Sequence, residues 1–506
     1  MGSGTAEMLI NLRLFAPELV LLALLVALFL TDGLMPKSRS GKLPLVLTVL
    51  ACGLGGWVSV QAASLPSTGF FSGVVASDGL GAFFRCIFFF VCAVALCVAY
   101  SSREIEATAR SEYAILIVTV TFGMSLMALA TNLLVLYLGV ETVSIVSFVL
   151  AGFGRDSMRS NEASLKYLVY GAASSALMIY GFSLIYGYTG SLFYPEIARQ
   201  VAAMGQFPLG LSFAVLLAYA GLAFKLAAFP MHFWAPDVYE GAPTPVVTFF
   251  SVGPKAAGFA ALIRLVIEVF SVRLSDGHWK AIDGSHLVVG LAAVSAITMT
   301  IGNLCAVGQT SAKRMLAYSS IAHVGYLLMG LVALDETGLL AILFYLVAYC
   351  AMNIGAFWIV GLVRDFRGTD EVEAFRGFGW SHPTVAICMS VFLFSLTGLP
   401  VFAGFIGKFL LFRAVWNAPG FLWLAVVGVL NSVVSLYYYS RFLRAMWFDP
   451  VVAPERGGSS QPRFPSVIPI PVVAALVALA VPTVVLGLYF EPILRVAKSS
   501  LENLLS

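Results

Sequence analysis

The chain is poor in charge. Only 11% of its 506 residues are charged, whereas 60% are hydrophobic and the mean hydropathy is +0.94. A water-soluble domain of this size could not hide so much apolar surface in one core, so the composition excludes an ordinary globular protein. The formal net charge of +3 is small and the basic residues are spread along the chain, which argues against a nucleic-acid partner.

Metal-binding and catalytic motifs are also scarce. The seven cysteines lie inside apolar segments without a C-x-x-C pair, so we interpret them as small hydrophobic residues. Of the five histidines, only His323 lies deep in an apolar segment, which disfavours a haem with two axial ligands. The stretch GFIGKF lacks the upstream glycine and the Ser or Thr of a phosphate-binding loop. We therefore expect no cofactor in this chain.

Apolar segments long enough to cross a membrane are abundant. A helical span needs roughly 20 apolar residues, because each backbone N–H and C=O must be bonded within the segment. The sequence predicts an all-α polytopic membrane protein with about fourteen transmembrane helices. The predicted spans are 15–32, 43–63, 79–100, 112–130, 132–153, 165–188, 209–231, 244–271, 285–308, 313–334, 337–363, 383–415, 420–447 and 467–490.

Basic residues indicate how the spans are oriented. The first span has no basic segment before it and no cleavage site after it, so we expect it to be retained. Lys37, Arg39 and Lys42 follow it, and basic residues recur on alternate connections, whereas connections such as 64–78 and 416–419 have none. Since cytoplasmic connections carry the excess of Lys and Arg, both termini are predicted on the outer side.

Five ionisable side chains lie at membrane depth: Glu141, Lys225, Lys255, His323 and Lys408. A charge at mid-bilayer costs at least about 2.5 to 3.5 kcal/mol, so such residues usually face a bundle interior or a water-filled cavity. Arginine keeps its proton, whereas a buried lysine can release and accept one near neutrality. The set predicts a proton relay. A structural salt-bridge role stays open for the lysines, and His323 fits packing as well as relay.

Two spans combine a deep lysine with a proline, Lys225 with Pro230 in the seventh and Pro400 with Lys408 in the twelfth. Proline cannot donate to the carbonyl four residues earlier, so both helices are predicted to be kinked or unwound. Spans that lie five apart run in opposite directions, as in an inverted-topology repeat. This predicts helices 1–3 over 1–110, two five-helix repeats over 111–271 and 285–447, and a last helix over 467–490.

Charged residues near span ends are interpreted as structural. Lys166 is expected to extend its amine to the membrane interface. Asp237 and Glu240 follow Pro236 and are expected to cap or brace that turn. Two further residues, Arg264 and Glu268, lie four apart and are interpreted as an ordinary helix pair.

Several stretches together resemble a known family. FKLAAFPMHFWAPDVYEGAPTPV, LYLGVETVSIVSFVLAG, SVGPKAAGF, KRMLAYSSIAHVGYLLMG and GLPVFAGFIGKFLLF resemble the antiporter-like membrane subunits of respiratory complex I, the proton-pumping NADH:quinone oxidoreductase. The resemblance covers nearly the whole chain and is strongest to the N-type branch, which is similar to mitochondrial NADH dehydrogenase subunit 2. Lys408 stands where the M-type has glutamate, and the chain ends about sixteen residues after its last span, without the long lateral helix of the L-type.

The resemblance implies a fourteen-helix proton-translocating subunit with two inverted five-helix repeats and broken helices 7 and 12. It implies that Glu141 pairs with Lys225, that Lys255 links the two halves, and that Lys408 lies near the periplasmic exit. His323 falls where family members place polar residues on the connecting axis.

The resemblance also implies partners and a location. Expected neighbours are an M-type subunit, small K- and J-type subunits and membrane lipid, in a bacterial inner membrane with both termini periplasmic. NADH, FMN, iron–sulfur clusters and quinone are expected in partner subunits. The alternatives are a subunit of a multisubunit sodium/proton antiporter or a hydrogenase-associated relative, and a membrane scaffold or quinone-binding subunit that does not pump.

Overall fold

The protein is described by a computed structural model that covers residues 8, 10–34, 41–63, 68–274, 279–282, 284–450 and 468–505, with the backbone alone at 68 and 503–505. Within these ranges, thirteen helices are long and apolar enough to cross a membrane. A fourteenth span is divided into two shorter helices, Pro383–Thr397 and Ala403–Asn417. The prediction of an all-α polytopic protein with about fourteen spans is confirmed.

We keep the ordinal names of the spans. The helices that form them are Ala16–Leu34, Leu43–Ala63, Gly79–Ser101, Arg110–Leu129, Leu133–Ala151, Met158–Thr189, Leu209–Leu226, Thr244–Phe250 with Gly253–Arg264 and the π-helical turn Leu265–Val269, Leu287–Val307, Ala312–Val332, Glu336–Arg367, Pro383–Thr397 with Ala403–Asn417, Leu422–Trp447 and Ile470–Leu488.

Shorter elements lie between and after the spans. The short α-helices are Tyr194–Ala203, Trp234–Gly241, Phe378–Ser381 and Glu491–Leu505, and Ala107–Ala109 and Val372–Phe375 are 3₁₀ turns. Thr68–Phe70 pairs with Val75–Ser77, and Ser271–Arg273 pairs with Trp279–Ala281, each pair antiparallel. These hairpins are small additions to a helical bundle.

The seventh span is broken as predicted. Its helix ends at Leu226, and Ala227 adopts the left-handed conformation with φ +56°. Pro230 lies in the non-helical segment that follows, before the short helix Trp234–Gly241. Backbone groups freed by the break find other partners: the indole N–H of Trp234 donates to the carbonyl of Phe224 at 3.0 Å. The break is therefore a stable feature with its own hydrogen bonds.

The twelfth span is broken in the same way. Its first helix ends at Thr397, Gly398 has φ +87°, and the second helix begins at Ala403. Glycine suits the left-handed conformation because it has no Cβ. The backbone N–H of Gly404 donates to the hydroxyl of Ser395 at 3.0 Å, which ties the second helix to the first. The predicted disruption near Pro400 is confirmed.

The eighth span is also interrupted, which was not predicted from the sequence. Helix Thr244–Phe250 ends, Ser251 and Val252 form a turn, and a second helix runs over Gly253–Arg264. Pro254 explains the turn, because it has no N–H to donate to the carbonyl of Phe250. This second helix carries Lys255 in its first turn. The seventh, eighth and twelfth spans, which carry Lys225, Lys255 and Lys408, are thus all discontinuous.

The bundle has a buried centre and a lipid-facing rim. The eighth span is wholly buried and the tenth and eleventh nearly so, whereas only 28% of the first, second and fourteenth is buried. The ninth and tenth spans approach closely because both carry glycine: a Cβ added to Gly302 would lie 2.5 Å from the backbone nitrogen of Ala322. The buried spans are the ones that carry Lys255 and His323.

Candidate functional site

Lys225 occupies the last turn of the first half of the seventh span. Its side chain is 2% exposed, and its amine has no hydrogen-bond partner among the described residues. The amine lies 5.8 Å from the ring of Phe224. Lys225 is the basic residue in the last turn of the helix Leu209–Leu226, directly before the break. The break therefore places an unpaired amine inside the bundle.

Glu141 lies within electrostatic range of Lys225 but does not contact it. Among the described residues, Glu141 is the charged side chain that lies within electrostatic range of the Lys225 amine, and no ion pair within 4.0 Å joins the two. The carboxylate of Glu141 instead accepts a hydrogen bond from the hydroxyl of Ser175, and it is half-buried. The direct pairing that the resemblance implies is absent from this structure, while the electrostatic relation between the two residues is present.

Lys255 is likewise buried, at 2% exposure, and its amine has a neutral partner. It donates to the hydroxyl of Ser320 in the tenth span at 2.7 Å and lies 5.7 Å from the ring of Tyr239. Lys225 packs against the same helix, since its Cβ is 3.7 Å from where a Cβ of Gly258 would lie. The seventh and eighth spans thus bring two deep lysines close together.

Lys408 uses the break in its own span. Its amine donates to the carbonyls of Leu396 at 3.0 Å and Thr397 at 2.9 Å, which are carbonyls at the end of the helix Pro383–Thr397. The amine also lies 4.5 Å from the ring centre of Tyr326. A helix end presents unpaired carbonyls, so the break supplies acceptors that a continuous helix would not.

His323 lies between Lys255 and Lys408. Both amines are within electrostatic range of its ring. Its Nδ1 shares a hydrogen bond of 2.6 Å with the hydroxyl of Tyr345, and its ring centre is 5.2 Å from that of Tyr349. The five predicted residues therefore follow one another through the membrane interior, from Glu141 through Lys225, Lys255 and His323 to Lys408.

A neutral polar network surrounds the Lys408 end of this line. The hydroxyl of Tyr326 lies 3.4 Å from the side-chain nitrogen of Asn303 and 3.2 Å from the hydroxyl of Ser432. Asn303 also donates to Asn431 at 3.1 Å and accepts from Tyr438 at 3.0 Å. These residues were not predicted from the sequence, although asparagines inside apolar spans are a visible signal.

A buried ion pair in the N-terminal helices was also missed. Arg85 donates to both carboxylate oxygens of Glu18 at 2.8 Å, and both side chains are 0% exposed. Ser125 donates to the same carboxylate. Both charged residues lie inside predicted spans, so their depth could have been noticed. Their pairing joins the first, third and fourth spans.

Arg264 is more than the ordinary helix pair that was expected. It does pair with Glu268 at 2.8 Å, but it is 1% exposed and also binds Asp78 at 2.7 Å. Its Nε donates to the carbonyl of Ala128 at 2.6 Å. The expected pair is present, and this arginine also links the eighth span to the third and fourth.

Four charged side chains form a cluster that joins the sixth span, the short helix Trp234–Gly241 and the tenth span. The amine of Lys166 binds Asp237 at 2.8 Å, and Arg314 binds Asp237 at 2.7 Å and Glu240 at 2.8 Å. Asp237 and Glu240 thus brace their turn against the tenth span. Burial alone would raise the pKa of Asp237, but Lys166 and Arg314 hold that pKa below its ordinary value.

Within the described ranges, no group of three or more His, Cys, Asp or Glu side chains is arranged to hold a metal ion. The line of Glu141, lysines and His323 can carry protons between groups that change protonation state.

A family model and two relatives of known name all place this chain in the same protein family. The family model described as NADH:quinone oxidoreductase/Mrp antiporter, TM, matches residues 130–435. NADH-quinone oxidoreductase subunit N 2 of Sorangium cellulosum is 43% identical, over 97% of this chain and 98% of that protein. NAD(P)H-quinone oxidoreductase subunit 2 of Picosynechococcus is 38% identical, over 96% of this chain and 91% of that protein.

Solved structures show the same fold. A chain of respiratory complex I from Thermus thermophilus with bound aureothin has a TM-score of 0.76 and 31% identity, covering 95% of this chain and 98% of that one. A chain of the Mrp complex from Dietzia has a TM-score of 0.81, covering 98% of each chain, but 22% identity, so that likeness concerns the fold alone.

Proposed function

The chain belongs to the family of NADH:quinone oxidoreductase and Mrp antiporter membrane subunits, and from this premise we propose that it is an antiporter-like, proton-translocating subunit of a bacterial NADH:quinone oxidoreductase. Identity of 43% over nearly the whole of a subunit N relative supports the complex I assignment over the antiporter alternative. The chain is a multi-pass membrane protein. Its proposed orientation places both termini on the periplasmic side.

The observation that carries this proposal is the set of three deeply buried lysines, none of whose amines is bonded to an acid among the described residues. Lys225, Lys255 and Lys408 are 2 to 3% exposed, and within the described part of the chain none of the three forms an ion pair with an acid. A structural lysine at such depth would be expected to hold a carboxylate, because an unpaired buried charge is costly. The amines of Lys255 and Lys408 bind a hydroxyl and carbonyls, and that of Lys225 has no partner among the described residues, so each can lose a proton without leaving an acid unpaired.

In the proposed relay, Glu141 modulates Lys225, protons pass between Lys225 and Lys255, and His323 connects Lys255 to Lys408. In this proposal, a change in the charge of the Glu141 carboxylate, or in its distance from Lys225, switches the amine between taking up and releasing a proton. Lys408 stands last on the line, where the resemblance implies release toward the periplasm. These roles are proposals about this chain's own residues.

The driving force is proposed to come from other subunits. NADH, FMN, iron–sulfur clusters and quinone belong, in this proposal, to partners, with M-type, K-type and J-type subunits as the membrane neighbours. The two inverted repeats, 111–271 and 285–447, are proposed as the two halves of the proton path. Support comes from the broken seventh and twelfth spans, each of which carries a lysine near its break.

Redox-driven proton pumping in liposomes tests the proposal. The complex is purified with Lys225→Arg, Lys225→Ala or Glu141→Gln, and its size confirms assembly. A relay requires deprotonation, and arginine does not release its proton, so both Lys225 variants should lose pumping. A scaffold would tolerate Lys225→Arg because the charge is kept. Normal pumping by an assembled Lys225→Arg complex would overturn the proposal.

A further inference from the structure

A large apolar cavity lies between the third, eleventh and fourteenth spans and the C-terminal helix Glu491–Leu505. Its volume is about 960 Å³. Within the described part of the chain, its lining side chains are hydrocarbon or thiol, except for Ser499 and Ser500 at one end and the indole of Trp358 at the other. A buried water needs about two to four polar partners, which most of this lining does not offer. The apolar cavity is therefore suited to hydrocarbon.

The C-terminal helix closes one end of the apolar cavity. It packs against both the third and the eleventh spans. A Cβ added to Gly79, the first residue of the third span, would lie 2.7 Å from the carbonyl oxygen of Ser500. The amine of Lys498 lies 3.5 Å from the carboxylate of Glu336, the first residue of the eleventh span. The C-terminal helix therefore crosses over the beginning of both spans.

A hydrogen bond between two spans closes the other end. The indole N–H of Trp358 in the eleventh span donates to the hydroxyl of Ser101 in the third span at 2.9 Å. Trp358 and Cys97, which is one turn before Ser101, both line the apolar cavity. Gly79 and Cys97 lie on one helix, eighteen residues and therefore about 27 Å apart. The apolar cavity thus extends over most of the roughly 30 Å of a bilayer's hydrocarbon core.

One side of the apolar cavity opens toward the lipid. Its rim includes Phe90 of the third span and Val481 and Val485 of the fourteenth, which are 44 to 51% exposed. At its back, Cys350 of the eleventh span is 3% exposed. Exposed apolar side chains on a membrane span face hydrocarbon. A molecule that reaches the back of the apolar cavity therefore enters sideways from the membrane.

The closed ends determine which kind of molecule fits. A transmembrane helix of a partner subunit has to cross the whole hydrocarbon layer. Here such a helix would collide with the C-terminal helix at one end and with the bonded pair Trp358 and Ser101 at the other. A flexible hydrocarbon chain needs no exit at either end. It also supplies the van der Waals contacts that an empty cavity of this size would lose.

Two cations of the C-terminal helix favour a lipid with a phosphate. Arg495 and Lys498 lie within one turn of the lining residue Ser499, and their side chains are 68% and 63% exposed. Their acids are distant, Glu491 at 3.7 Å and Glu336 at 3.5 Å, whereas charge-assisted hydrogen bonds measure about 2.7 to 2.9 Å. Both cations therefore keep donors for a phosphate. An isoprenoid quinone has a hydrocarbon tail as well, but its head group carries no charge.

We propose that the apolar cavity is a binding site for a membrane phospholipid. One acyl chain lies between the third, eleventh and fourteenth spans, and the phosphate is held by Arg495 and Lys498. The bound chain completes the packing that the protein's own side chains leave open between these spans. The site does not depend on the proton relay, so its test is independent of the proposed function.

A photoactivatable phospholipid tests the site. Phosphatidylglycerol with a diazirine in its acyl chain is mixed into liposomes that contain the assembled complex, and labelled peptides are identified by mass spectrometry after irradiation. Cys350 should be labelled, because it lies at the back of the apolar cavity. Cys388 is equally buried, at 4% exposure, but does not line the apolar cavity and should stay unlabelled. A parent complex without label at Cys350 would overturn the proposal.

A cavity-filling variant shows whether the label depends on the cavity. Ala351→Trp places a large side chain at the back of the apolar cavity and should reduce labelling of Cys350 at least tenfold. Ala176→Trp adds the same side chain on the exposed face of the sixth span and should leave that labelling unchanged. Labelling of Cys350 that persists in an assembled Ala351→Trp complex would contradict the proposed position of the acyl chain.

The head group is tested by substitutions that disturb no buried side chain. Arg495→Gln combined with Lys498→Gln should lower labelling of Cys350 roughly tenfold, because the anionic lipid loses two cations near the membrane surface. Arg413→Gln, which removes an exposed arginine of the twelfth span, is the control. Unchanged labelling in the double variant would overturn the assignment of the phosphate. A photoactivatable quinone with an isoprenoid tail is the competing probe, and its labelling of Cys350 in place of phosphatidylglycerol would overturn the choice of a phospholipid.

Discussion

Glu18 and Arg85 show what a charge costs when its partner is removed. The two side chains are fully buried and joined by two hydrogen bonds of 2.8 Å. Arg85→Met leaves the carboxylate of Glu18 buried without its cation, so we expect a loss of about 3 to 5 kcal/mol in stability. Thermal unfolding of the detergent-solubilised protein measures the loss.

Two further variants give the comparison for that prediction. Arg85→Met combined with Glu18→Leu should recover most of the stability, because an apolar pair leaves no charge unpaired. Arg155→Met removes the partner of Glu112 in an exposed ion pair, in which the Arg155 side chain is 79% exposed and that of Glu112 is 30% exposed. This substitution should lower stability by about 1 kcal/mol or less. Equal losses for Arg85→Met and Arg155→Met would contradict the prediction.

For single residues, the sequence predicted which ionisable side chains are buried better than it predicted which groups they bind. Lys225, Lys255 and Lys408 were predictable because lysine is rare inside apolar segments and costly there. Which group each amine binds was not, since Lys255 meets a serine 65 residues away in sequence and Glu18 meets an arginine 67 residues away. Such contacts depend on how spans pack, which apolar periodicity does not encode.

Among the elements, the break in the twelfth span matters because the backbone conformation of Gly398 leaves room for the side chain of Lys408. Gly398 has φ +87°, and a Cβ there would lie 2.9 Å from Cδ of Lys408. Gly398→Ala should therefore cost about 1 to 2 kcal/mol in backbone strain and also displace the amine from its carbonyls. We expect reduced pumping as well as reduced thermal stability, both measured on the assembled complex.

Gly420→Ala separates the two effects of that substitution. Gly420 has φ +82° but open space where its Cβ would lie, so alanine should add strain without moving a relay residue. Stability should fall by a similar amount while pumping per NADH oxidised stays unchanged. If Gly398→Ala behaved like Gly420→Ala in both measurements, the geometry at the break would not matter for Lys408.

The elements divide into those that local chemistry determines and those that it does not. Fourteen spans and two broken helices were predictable because apolar length and proline act locally. The interruption of the eighth span was missed although Pro254 is visible, because one proline near a span end is also compatible with a first helical turn. The structure places Pro254 ten residues after Thr244, where it occupies the first turn of a second helix, Gly253–Arg264.

Across the whole molecule, the cluster of Lys166, Asp237, Glu240 and Arg314 ties the first half to the second. Asp237 has a pKa below the ordinary value of about 3.9, so its pairs stabilise the fold above that value and are lost as the pH falls through the lowered pKa. Asp237→Asn should lower stability by about 1 kcal/mol at pH 7 because the pairs are partly exposed.

The pH dependence checks the sign of that prediction. The difference in thermal stability between the parent and Asp237→Asn should be present at neutral pH and should shrink on acidification, since protonated Asp237 no longer attracts Lys166 and Arg314. Asp449→Asn, which removes the partner of Arg444 at the end of the thirteenth span, is the control because it joins no two spans. A difference that grew on acidification would contradict the assignment.

The line of buried groups also predicts how its two ends act together. Lys225 packs against the helix that carries Lys255, and His323 lies within electrostatic range of both Lys255 and Lys408, so the groups stand in series.

Blocking one step of a series stops the whole path. Lys225→Ala combined with Lys408→Ala should therefore lower the protons pumped per NADH oxidised no further than the more severe single variant. Two independent paths, one in each half, would instead leave each single variant partly active and make the losses add. Pumping by the two single variants and the double variant, normalised to electron transfer in the same liposomes, distinguishes one path through the molecule from two.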